Sequence, residues 1–187
     1  MTARKEKMPK KANPLLEKKI LKVALTLLSR RGVHALTMRA VAEAAGTSTP
    51  TVYQRFADRE AILQAICEDT RQRLARELQQ APSVEDACRR YLLFAQKHPH
   101  EYELLMRAGW HDAAASGYQG PVFLAAKTKI AKQFPGKPAQ QVALLIQLWC
   151  LVHGAASLMI AAEHHGDGAE DIVKACYSAC KALLTKK

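Results

Sequence analysis

Apolar residues recur along this chain at the three- and four-residue intervals of a helix, and no stretch alternates as a half-buried strand would. Leu16, Ile20, Val23, Ala24 and Leu27 mark a first helix that Gly32 ends. Met38, Val41, Ala42 and Ala45 repeat the spacing behind Thr37, which can cap the first orphan amides, and Gly46 supplies a left-handed exit. Ser48 or Thr49 then caps a short helix with Val52 and Phe56 on its apolar side; Pro50 is tolerated because its missing N–H falls in the first turn. Asp58 opens a long helix carrying Ile62, Leu63 and Ile66, polar from there to Pro82. Ser83 and Asp86 resemble a capping box for a helix with Ala87, Tyr91, Phe94 and Ala95 on one side, broken at His98-Pro99. Pro99–Ala108 is a short helix, and Gly109–Gly120, with three glycines, is expected as a loop. Pro121 starts a helix with Val122, Ala125, Ile130 and Phe134 that Pro135-Gly136 stops. The last two helices run from about Pro138 to His164, apolar on most faces, and over Asp171–Leu184. The pattern predicts an all-α protein of about nine helices.

Thr37 to Phe56 organises the rest. Two short helices joined by a Gly-containing turn, the second crowded with Thr49, Thr51, Tyr53, Gln54 and Arg55, make a helix-turn-helix whose second helix would enter a DNA major groove. The expected division is a basic arm over residues 1–13, a three-helix DNA-binding domain over 14–60 and a larger helical domain over 61–187. Lys- and Arg-rich and poor in apolar residues, the arm is expected to be disordered without DNA.

Charge agrees with that division. The chain carries a formal +11; residues 1–60 hold 13 Lys/Arg against 5 Asp/Glu, whereas residues 61–187 hold 15 against 12. The basic excess thus lies where phosphate would be met. Five cysteines without CxxC or zinc-finger spacing, and no apolar segment before Leu15, lead us to expect a reducing cytoplasm and no secretory signal. Val142–Ala162 is long enough to cross a membrane, but Gln147, His153, Gly154 and Ser157 interrupt it, so it is expected as a buried helix.

Gly32, Thr37, Ala42, Ala45-Gly46, Ser48, Thr51-Val52-Tyr53, Phe56 and Asp58-Arg59-Glu60-Ala61-Ile62-Leu63 resemble the TetR family of one-component transcriptional repressors, with Arg59 where the family usually carries Lys. The resemblance is dense from about Leu15 to Ile66; further on, the Trp-x-x-x-His-Gly run from Trp149 to Gly154 is similar to one ligand-domain subgroup. By their chemistry, Thr37, Ser48, Tyr53, Arg55 and Arg59 suit phosphates, Arg39 a bidentate contact to guanine, and Thr49, Pro50 and Thr51 thymine methyls and base edges. The resemblance points to Arg39, Thr49, Pro50, Thr51, Tyr53, Arg55 and Arg59 as well, and Gln54 completes the candidate set.

One short reading helix cannot serve both halves of a useful site, so a two-fold homodimer on a palindromic operator is expected, with heads about 34–36 Å apart or a multiple of it. The final two helices would form its four-helix interface, as they do in the resembled family. The resemblance further implies a cavity for a small, mostly apolar effector, with candidate linings Tyr102, Met106, Trp110, Phe123, Trp149, His153 and Met159; aromatics and methionines at helical spacing can equally be core. Glu163 with His164-His165 could suggest a metal, but adjacent helical residues point apart, so no metal or cofactor is expected. Cys150 and Cys67 have no Cys–His pairing at catalytic spacing, and no phosphate loop or paired carboxylate accompanies them, which argues against an enzyme. The expected function is repression released by the effector; the alternative is a DNA-binding regulator controlled by a protein partner.

Overall fold

The computed structural model describes residues 14–115, 120–163 and 168–185, and the side chains of all these except 108–115, 162 and 163. The basic arm Met1–Asn13, Tyr118 and the pair His164-His165 lie outside the described residues. The described chain is α1 (Pro14–Arg31), a 3₁₀ turn (Val33–Ala35), α2 (Met38–Ala45), α3 (Thr49–Tyr53), α4 (Arg59–Gln80), α5 (Val84–Lys97), α6 (Pro99–Ala115), α7 (Pro121–Gln133), α8 (Pro138–Glu163) and α9 (Ala169–Thr185), with no strand among the described residues. Two compact units part after Ile62, inside α4.

In the first unit α1 buries Ile20, Ala24 and Leu28, every fourth residue, and packs against α2, which packs against α3. Leu36, Met38, Val41, Ala42, Ala45, Val52 and Phe56 complete this small core. At about 1.5–3 kcal/mol per large apolar side chain, such burial outweighs the weak intrinsic helicity of a five-residue α3.

In the second unit α5 is central, packing against α6, α7, α8 and α9, and it buries Val84, Ala87, Cys88, Tyr91, Leu92, Phe94 and Ala95. The carboxylate of Glu101 on α6 is buried and pairs with Arg73 of α4, whose Nε also meets Asp69 at 2.9 Å. A charge buried in this way is held only because it is paired. Gln133 Oε1 accepts from the Val84 amide at 2.7 Å, fastening the start of α5 to the end of α7.

The loop expected from Gly109 begins later, because α6 continues to Ala115. A single helical glycine costs about 1 kcal/mol relative to alanine, and Ala108 and Ala113–Ala115 favour continuing the helix. The apolar α8 has a mean hydropathy of 1.8 over Pro138–Ala161, which gives it the length and composition of a membrane span, and 44% of its most apolar stretch is buried within the chain. Ala143, Ile146, Cys150, Ser157, Leu158 and Ala161 recur at helical spacing on its uncovered side.

Candidate nucleic-acid interface and buried cavity

Three local devices set the reading helix. Thr37 Oγ1 accepts from the Ala40 amide at 3.1 Å and starts α2. Gly46, at φ 63 and ψ 40, ends α2 in the left-handed region, with its own amide on Glu43 O at 3.0 Å and the Thr47 amide on Ala42 O at 2.9 Å. This Schellman pairing turns the chain sharply into α3. There Ser48 Oγ accepts from the Thr51 amide at 3.3 Å and lies 2.8 Å from Thr51 Oγ1. That pair shares one hydroxyl hydrogen and leaves the other for an outside acceptor.

On this frame Val52 and Phe56 face inward, while Thr37, Arg39, Ser48, Pro50, Tyr53 and Gln54 are exposed and Thr49, Thr51 and Arg55 half-buried. Tyr53 is 53% exposed, so it is no core aromatic. Arg55 Nε is buried without a hydrogen-bond partner among the described residues. Arg59 is also engaged within the protein. Its Nε donates to Leu36 O and its Nη2 to Val33 O, each at 2.6 Å, which ties the first turn of α4 to the 3₁₀ turn before α2. A planar guanidinium can serve two carbonyls in this way, whereas a lysine presents one point charge. Spacing along the sequence gave no sign of this contact, because its partners lie 23 and 26 residues away.

The second unit holds a cavity of about 310 Å³, partly open to solvent and lined by α4, α5, α6, α7 and α8. Of the candidate effector residues, Met106, Phe123 and Trp149 lie on its wall. Tyr102, His153 and Met159 do not line it, and the side chain of Trp110 is outside the described residues. Helical spacing could not separate cavity-lining residues from the rest. Missed by sequence were Glu68, Arg71, Leu74 and Leu78 on α4 and Tyr91 on α5. Leu74 and Leu78, four apart in a stretch read as polar, were the available signal.

The polar groups of Tyr91, Tyr102 and His153 satisfy one another. Tyr91 Oη lies 3.2 Å from Tyr102 Oη, which lies 2.6 Å from His153 Nδ1. Burial raises both phenols well above the usual tyrosine range and lowers His153, so the imidazole is neutral near pH 7. Cys176 is pushed up to about 12, chiefly by burial, and Cys180 upward by its hydrogen bond to Cys88, so these thiols act as small apolar fillers rather than nucleophiles.

A family profile described as "Bacterial regulatory proteins, tetR family" matches residues 20–66, the unit just described around α2 and α3. A second, "Tetracyclin repressor-like, C-terminal domain", matches residues 84–180, more than half of the chain. The chain belongs to the TetR family. It is accordingly a DNA-binding transcriptional regulator and not an enzyme. Among solved structures, a tetR-family transcriptional regulator from Streptomyces coelicolor is 20% identical, with 92% of this chain and 82% of the other covered at a TM-score of 0.71. A TetR-like transcriptional regulator from Rhodococcus sp. RHA1 is 18% identical, with coverage of 94% and 99% and a TM-score of 0.64. The flavonoid-responsive regulator FrrA is 21% identical, covering 92% and 94% at 0.57. At these identities the likeness is one of fold. No curated protein matches the chain.

Proposed function

We propose that this TetR-family regulator is a repressor that binds a palindromic operator as a homodimer and is released by a small, largely apolar effector. The observation that carries the DNA half is the exposure of Arg39, Tyr53 and Gln54 around an α3 pinned by Ser48 and the Gly46 turn. Arg39 reads a base edge; Tyr53, Thr37, Ser48 and Arg55 hold phosphates; Thr49, Pro50 and Thr51 meet thymine methyls and base edges. Arg59 acts one step back, holding the 3₁₀ turn that leads into α2.

Dimerisation is supported by the uncovered face of α8, where Ile146 is 40% and Leu158 60% exposed. A second copy would cover that stripe together with α9, which accounts for an apolar helix without invoking a membrane and fits a cytoplasmic regulator. The cavity supplies the effector site. Helix α4 carries the signal: Arg59 at its start holds Val33 and Leu36, while Glu68 to Leu78 on the same helix form cavity wall. An effector releases DNA to the extent that it binds the non-reading state more tightly.

Selection of bound duplexes from a random pool, with the subunit mass measured by light scattering, tests this reading. An inverted repeat bound by two subunits is expected. A monomer with no preferred inverted repeat would refute it.

A further inference from the structure

The cavity's lining is specific enough to name the chemistry of its occupant. At about 310 Å³ it lies at the small end of ligand pockets, so it accepts one compact molecule. Most of its wall is hydrocarbon, including Leu74, Leu78, Phe123, Ile130, Leu145 and Leu148. The hydroxyl of Tyr91, on the same wall, lies 3.2 Å from Tyr102 Oη, so it turns its hydrogen bonding toward the protein. The middle of a ligand therefore gains nothing from polar groups there and would lose their hydration.

Charge enters at named places. Lys129 Nζ donates to the carbonyls of Gln79, at 3.0 Å, and Ala81, where it closes the end of α4. Removing it from them would strand helix-terminal carbonyls. Arg71 differs. Its pairing with Glu68 is long, 3.5 Å from Nη1 to Oε2, and Glu68 has an alternative partner, since Gln72 Nε2 donates to its other oxygen at 2.8 Å. Glu68 is also more than half exposed, so water can replace the guanidinium. Arg71 can thus turn its planar fork to a new carboxylate without orphaning a buried charge. From Arg71 to Leu78 the wall runs seven residues of α4, about 10 Å.

We infer that the effector cavity takes a monocarboxylate with a hydrocarbon body, its carboxylate on Arg71 and its apolar part laid along α4 toward Leu78. The inference rests on the effector-controlled reading above. Straight-chain and aryl-alkyl acids share this chemistry, and decanoate and 4-phenylbutyrate distinguish the two sources.

Binding of decanoate, 4-phenylbutyrate and decanol to the full-length protein is measured by calorimetry, and each preparation is also assayed for operator-length DNA. One acid at least is expected to bind tenfold or more tightly than decanol. Arg71→Gln should remove that preference while decanol still binds, and Ala126→Leu, which fills the cavity from α7, should weaken acid and alcohol together. Decanol binding as tightly as the better acid overturns the inference, as does acid binding that is indifferent to Ala126→Leu. If neither acid binds a preparation that holds DNA specifically, the inference falls while the regulator stands. If specific DNA binding is also absent, the reading beneath it has failed.

Discussion

Replacing Arg59 separates two roles that the sequence could not tell apart. The structure gives its guanidinium two short hydrogen bonds, Nε to Leu36 O and Nη2 to Val33 O, both 2.6 Å. A hydrogen bond involving a charged group contributes about 1.5–3 kcal/mol. Arg59 is only half-buried, and the freed carbonyls regain water in its absence, so the low end applies. Arg59→Ala should therefore destabilise the first unit by about 2–3 kcal/mol. In amide exchange followed by mass spectrometry, that means roughly 30- to 150-fold faster opening for peptides spanning residues 33–56. Peptides from α5 in the other unit serve as the internal reference. Arg59→Lys should lose most of the same stability, because one ammonium cannot reproduce the fork. The second readout is the salt dependence of DNA affinity, whose slope falls by about 0.9 for each phosphate contact removed. If Arg59 braces the fold, the slope stays unchanged. Unchanged exchange in Arg59→Ala, together with a slope reduced by about one, would refute the bracing role and restore a phosphate contact.

Tyr53→Phe should weaken binding to operator and random duplex alike, by about tenfold for one hydrogen bond to a charged phosphate, as read by fluorescence anisotropy. Arg39→Ala should cost about 1–3 kcal/mol on the operator and relax choice at a single base position in a repeated selection; equal loss on random DNA would contradict base reading. Gly46→Ala has room for its methyl, with Lys19 Nζ 3.8 Å away, so its cost is the left-handed backbone, about 1–2 kcal/mol. Faster exchange confined to the first unit should report it, and no change would mean the turn relaxes. His153 is held neutral by burial, so its folded pKa lies below the ordinary 6.5. The unfolded chain then binds the proton more readily, and stability should fall as pH drops below about 6.5. His153→Gln should flatten that part of the melting-temperature profile, and an unaltered slope would assign it to other groups.

The reading unit was the most legible part of the chain, for a local reason. Thr37, Gly46 and Ser48 act on amides and carbonyls within five residues of themselves, so their caps and turn can be read from neighbouring letters. The same locality placed Val52 and Phe56 inward and Tyr53 outward. Local rules failed where competing choices were nearly balanced. One glycine at 109 suggested a loop, yet the flanking alanines carried α6 to Ala115.

The sequence by itself determined the all-α class, the helix-turn-helix and its exposed side chains, because helical period, capping and turn chemistry are properties of short segments. Only the tertiary structure decided that Arg59 holds Val33 and Leu36, that Arg71 and Leu78 line a cavity, and that Tyr102 and His153 do not. Those assignments depend on which residue from a distant helix arrives opposite, and periodicity along one helix carries no information about its neighbour.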